Sequence, residues 1–84
     1  MQIKIIFSEH AKNQLKERNI AEIRVIEAIT FPDKIVKQVN QRMQAVKIYT
    51  IQSKKYLLIV VFEQTNTVKT IITAFITSKI RKYL

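Results

Sequence analysis

The sequence predicts an α+β fold in which an N-terminal strand and two helices precede a four-strand antiparallel meander, the curved sheet packing on the helices. Three observations carry this expectation. Apolar residues recur at helical spacing between positions 8 and 30, the apolar period changes to two beyond Pro32, and polar clusters cut the second half into segments joined by short turns. The 84 residues suit one domain, 1–84, of a size that buries only roughly 60% of its extended surface.

Residues 2–7 are apolar and β-branched enough for the first strand. Ser8 then reads as a helix N-cap and Glu9 suits the positive helix end; the helix runs through Glu17 or Arg18 until Asn19 stops it. At 100° per residue only Ala11 and Leu15 share its buried face. Arg18 lies close to the same direction, so its guanidinium must reach solvent or find an acceptor. A second helix fits residues 21–30, with Ala21, Val25, Ile26, Ala28 and Ile29 on one broad side and Glu22, Arg24 and Glu27 mostly facing water. Phe31-Pro32-Asp33 ends it, because the residue before proline is pushed out of the helical region.

Four strands are then expected at residues 34–39, 43–51, 56–63 and 68–77, separated by Asn40-Gln41-Arg42, Gln52-Ser53-Lys54 and Gln64-Thr65-Asn66. The run 57–62 is apolar at both parities and marks a central strand covered on both faces. Helices supply one cover. The other falls to the tail 78–84, a partner protein or a second copy in a homodimer. Glycine is absent, so the hairpins must turn on Asn40, Asn66 or longer loops.

Composition removes several chemistries. Without cysteine there are no disulfides, thiolate metal sites or thiol nucleophile, and one histidine leaves no soft metal site. The acidic residues form no cluster for a two-metal nuclease. The lack of glycine rules out phosphate-binding glycine loops and dinucleotide fingerprints, so neither metal nor cofactor is expected. No apolar run is long enough to span a bilayer and the first residues lack a signal-peptide pattern, which predicts a cytoplasmic protein with no membrane partner. Lys and Arg number 15 against 6 Asp and Glu, a net charge of +9 that suits a polynucleotide or an acidic protein.

Metal-free RNA cleavage needs a base for the 2′-hydroxyl, an acid for the leaving 5′-oxygen and cations around the transition state. His10 is the single histidine and fills one proton-transfer role, or is a plain surface residue. Arg18 either clamps a phosphate or bonds backbone carbonyls. The C-terminal stretch carries Thr77, Ser78, Lys79, Arg81 and Tyr83, a mixture suited to phosphate oxygens and base stacking, or to a basic tail with Tyr83 and Leu84 packed back onto the sheet. Arg42, Lys47, Lys54, Lys55 and Lys69 either extend the positive surface or, as most strand lysines do, are simply solvated or protect sheet edges, and Tyr49 and Tyr56 either stack on bases or are ordinary half-buried sheet residues.

Phe7-Ser8-Glu9-His10-Ala11, Glu17-Arg18-Asn19-Ile20, Phe31-Pro32-Asp33 and Ile72-Thr73-Ala74-Phe75 resemble the small DUF4258-type domains and their BrnT-like relatives, within the RelE/barnase-like (BECR) group of ribonuclease toxins. The resemblance implies a RelE-like fold, RNA bound across the sheet, and a toxin of a toxin–antitoxin pair held inactive by an acidic antitoxin. His10 and Arg18 match the histidine opening and the arginine closing the first family helix. Gln14 stands where many relatives carry another arginine, and Thr77 and Lys79 match an end-of-sheet polar motif. The resulting expectation is a metal-independent endoribonuclease. His10 handles the attacking hydroxyl's proton, Arg18 and Lys79 stabilise phosphate charge, Thr77 or Ser78 orients an oxygen, and Arg42, Lys47, Arg81 and Tyr83 bind RNA. The alternative is a non-catalytic RNA- or DNA-binding module or a protein-interaction domain of the same fold. The catalytic reading requires His10 and residues 77–81 to face one groove.

Overall fold

Pro32 is where the apolar period changes, and it is where helices give way to sheet. A computed structural model describes residues 3–83. The elements are β1 (Lys4–Phe7), α1 (Glu9–Glu17), α2 (Glu22–Thr30), β2 (Lys34–Lys37), β3 (Arg42–Ile51), β4 (Lys54–Thr65), β5 (Val68–Thr77) and α3 (Ile80–Tyr83). The fold is α+β, with one open sheet in the order β1-β5-β4-β3-β2.

Two features correct the expected arrangement. The sheet has five strands rather than four and is mixed, because β1 joins it beside β5 in parallel, Lys4 opposite Val68 and Phe7 opposite Ile71. A third helix, the single turn α3, follows the last strand. Nothing in the N-terminal strand's pattern distinguishes an edge partner of β5 from a separate piece. Gln2, expected in the first strand, and Leu84, expected in the tail, lie outside the described residues.

Local chemistry accounts for the element ends. The Ser8 hydroxyl accepts the Ala11 N–H at 3.1 Å, satisfying one of the free amides of α1, and Asn19 at φ 55° reverses the chain after it. The β3–β4 hairpin turns through Gln52 (φ 50°) and Ser53 (φ 68°), and the β2–β3 connection uses Asn40 (φ 59°) and Gln41 (φ 62°). Paired left-handed residues match the twist of a hairpin, and here non-glycine residues carry that cost.

The buried side chains fall into two layers. On one face α1 and α2 bury Ala11, Leu15, Val25, Ala28 and Ile29 against Ala45, Leu58, Val60, Phe62, Ile71 and Ala74. On the other, Val46, Leu57 and Ile59 are covered by Phe75, Ile80 and Tyr83, so the tail supplies part of the second cover. Phe62 is fully buried, worth roughly 1.5–3 kcal/mol relative to exposure. A bulge interrupts the β4–β5 ladder, where Val61 pairs with Thr73 but Phe62 with Ile71. The extra residue, Ile72, bends β5 beside α1.

Candidate functional site

The site begins with the spacing of three side chains on α1. His10, Gln14 and Arg18 follow at intervals of four, which sets them in one slanting stripe one turn apart. Buried Ala11 and Leu15 dock α1 on β5, and this turns the stripe toward that strand's outer edge. Because β1 ends opposite Ile71, no strand among the described residues pairs with β5 on that side from Thr73 to Thr77. Arg18 Nη1 reaches the vacant stretch and donates to the Ala74 carbonyl at 2.7 Å, and also to Gln14 Oε1 at 3.4 Å. The Thr73 hydroxyl donates to the same Gln14 oxygen. Arg18 thus takes the backbone-bonding role, yet it stays exposed and keeps further N–H donors for an anion.

His10 is exposed, and no side-chain hydrogen bond holds its ring among the described residues. The Ser8 N–H donates to the Ile71 carbonyl at 3.3 Å, which fixes the start of α1 at the level of Ile71, and the helix then runs in the same sense as β5. His10 therefore stands one turn, about 6 Å, before Gln14, whereas Thr77 stands four residues, about 13 Å, beyond Thr73. The structure brings Gln14, Arg18 and Thr73 together. It sets His10 and the Thr77–Lys79 group toward opposite ends of the edge, so the single groove required of them is replaced by an extended track with Arg18 between.

At the far end of that track, Thr77 Oγ1 accepts the Lys79 N–H at 3.1 Å and the Ser78 carbonyl accepts the Ile80 N–H at 2.9 Å, a tight turn that leaves Ser78, Lys79 and Arg81 exposed. The Tyr83 ring packs edge-on against Phe75 with centroids 5.9 Å apart, which uses the ring for cover on the sheet face. Arg42 and Lys47 do not extend one stripe, since they stand five positions apart on β3 and so point to opposite faces. Arg42 pairs with Glu63 at 3.2 Å, while Lys47 Nζ donates to the Phe31 carbonyl at 2.8 Å and closes the C-terminal end of α2. Among the described residues no three His, Cys, Asp or Glu side chains gather where an ion would be held.

The sequence matches the family described as a domain of unknown function, DUF4258, over residues 7–76. The chain belongs to the DUF4258 family. The DUF4258 match covers β1's last residue through nearly all of β5, so it takes in His10, Gln14, Arg18 and Thr73 and stops before Thr77 and Lys79. No curated protein and no solved structure matches the chain.

Two polar groups make contacts that were not expected from the sequence, although Gln14 and Tyr49 were named there. Thr73 joins the α1 stripe, where the strand pattern marks no single polar residue as a partner for α1; Gln14 was detectable, since it sits four residues from both His10 and Arg18. The second group is Arg24, Glu27 and Tyr49. The Tyr49 hydroxyl donates to Glu27 Oε1 at 3.0 Å and the Arg24 guanidinium lies 5.4 Å from the ring centre. Burial raises the Tyr49 pKa above the usual tyrosine value, the Glu27 hydrogen bond and charge raise it further, and Arg24 acts against both.

Proposed function

We propose that this DUF4258 protein is a metal-independent endoribonuclease whose working surface is the α1 stripe beside the open edge of β5. The observation that carries the proposal is the alignment of His10, Gln14 and Arg18 along that edge, in a chain with a net charge of +9. His10 and Arg18 are about 12 Å apart along the helix axis, and the length of the arginine side chain narrows that gap. In the proposed reaction a phosphodiester lies between them. His10 takes the proton of the 2′-hydroxyl, and the freed oxygen attacks the adjacent phosphorus. The Arg18 N–H donors not given to Ala74 stabilise the charge on the phosphoryl oxygens. The bond to the 5′-oxygen breaks, leaving a 2′,3′-cyclic phosphate, and the leaving oxygen takes a proton from water. Thr77 and Lys79, set beyond Arg18 rather than beside His10, take no part in this chemistry, and the groove first expected to unite them with the imidazole narrows to His10 and Arg18; with Ser78 and Arg81 they hold phosphates farther along the strand.

The same charge fits an acidic protein that blocks the track, which gives the cellular reading of a cytoplasmic toxin paired with an antitoxin, in keeping with the RelE/barnase-like resemblance. One observation favours a second reading, a non-catalytic RNA-binding module: no side-chain hydrogen bond orients His10. Incubating structured RNA with the protein in EDTA separates the two. Cleavage to cyclic-phosphate ends that falls at least about a hundredfold in both His10→Ala and Arg18→Ala supports the enzyme. Cleavage undiminished in His10→Ala overturns the assignment of the base, and salt-sensitive binding without products leaves the binding module.

A further inference from the structure

We infer that the cleft between the α1–α2 elbow and the β3–β4 hairpin is a nucleotide subsite, which seats one base of the RNA against Tyr49 and Tyr56. The choice of a nucleotide rests on the RNA reading above; the cleft itself does not. Its volume is about 380 Å³, at the small end for ligand sites and suited to a single nucleotide rather than a larger ligand. Ile20, Leu58 and Ile76 form an apolar floor, Tyr49 and Tyr56 stand side by side as opposed residues of β3 and β4, and Arg24 closes one side.

Three observations point to a flat, anionic ligand. Ile51 and Ile76, both lining the cleft, are 58% and 53% exposed, so apolar surface there is left uncovered beside the helix-covered core. The Tyr56 ring and the guanidinium that Arg24 lays over the Tyr49 ring present faces on which a heteroaromatic ring stacks. The Tyr49 hydroxyl occupies Glu27, which leaves Arg24, with Lys54 at the hairpin tip, as the cations beside the cleft. Asn19, which also lines it, follows Arg18 directly, so a base in the cleft places its phosphate at the Arg18 end of the α1 stripe.

The test is a titration of the whole protein with adenosine and uridine 5′-monophosphates, ribose 5-phosphate and inorganic phosphate, followed through backbone amide shifts. Nucleotides are expected to move the amides of Tyr49, Tyr56 and Ile76 and to bind roughly tenfold more tightly than ribose 5-phosphate, which lacks the stacking base. A short single-stranded RNA is expected to displace the mononucleotide, which distinguishes a base within a strand from a free nucleotide ligand. Ala21→Trp, at an exposed position lining the cleft, is expected to abolish binding, and Arg24→Gln to weaken it several-fold, both with amide spectra unchanged elsewhere. Equal affinity for inorganic phosphate, or full binding by Ala21→Trp, overturns the subsite. RNA cleavage without mononucleotide binding also removes the subsite and leaves the nuclease standing; nucleotide binding without cleavage keeps the subsite and removes the nuclease.

Discussion

Tyr49 shows how one side chain joins packing to chemistry in this protein. Its ring is half-buried under α2, its hydroxyl donates to Glu27, and Arg24 lies over its face, so two residues of one helix fix one phenol. Burial and the carboxylate favour the protonated form, and the pKa is raised. The linkage follows from that sign. A group whose folded pKa exceeds its unfolded value stabilises the fold fully below the unfolded pKa, here near 10, and that contribution disappears as the pH climbs through the higher folded value. Ultraviolet phenolate titration of wild type against Tyr49→Phe is expected to lose a component titrating above pH 10, and the variant's stability is expected to fall less steeply than wild type's over the same alkaline range. A component below pH 10 disappearing instead would contradict the Glu27 contact. Arg18 gives the matching lesson for site reading. Its place on the inward stripe was legible from the spacing of Ala11, Leu15 and Arg18, but the Ala74 carbonyl that receives it was not, because that acceptor exists only where β1 stops short of Thr73.

At the scale of elements, the hairpin turns carry a backbone cost that substitution relieves. Gln52 and Ser53 both occupy the left-handed region between Ile51 and Lys54, which are directly paired, so the β3–β4 connection is a two-residue turn with two positive φ angles. Each such non-glycine residue costs roughly 1–2 kcal/mol that asparagine or glycine would reduce. Replacing the pair by Gln52→Asn and Ser53→Gly is expected to raise the unfolding free energy by about 1 kcal/mol in urea titrations, with an unchanged slope. A loss of stability would mean that the turn's own side chains hold it. The positions of these turns were readable from polar clusters, as were Ser8 as the cap of α1 and the end of α2 at Phe31. The parallel docking of β1 and the bulge at Ile72 were not, since both depend on partners distant in sequence while alternation reports only on neighbours. The bulge matters for the site: it lets Ile71 and Ala74, three positions apart, both face the helices, in the stretch where the Ala74 carbonyl receives Arg18.

For the whole molecule, charge is the property that structure and function share. Fifteen basic side chains against six acidic ones crowd a chain with a radius of gyration of 12.4 Å, and the described residues contain one ion pair, Arg42 with Glu63, at the surface. An exposed pair of that kind contributes at most about 1 kcal/mol, so attraction offsets little of the self-repulsion. Salt shortens the Debye length to about 8 Å at physiological ionic strength and screens that repulsion. Raising sodium chloride from low to physiological concentration is therefore expected to stabilise the fold and lift the thermal midpoint by several degrees, since about 1 kcal/mol shifts a domain of this size by roughly 4–8 °C. A polyanion tests whether the excess charge is arranged to receive a strand. At low salt, single-stranded RNA is expected to raise the midpoint beyond what salt alone achieves, and that increment is expected to vanish at high salt as counterion release loses its advantage. If RNA adds nothing at low salt, the basic surface is spread too evenly to act as a track, and the reading of the β5 edge as a path for phosphates fails even though the fold that presents it stands.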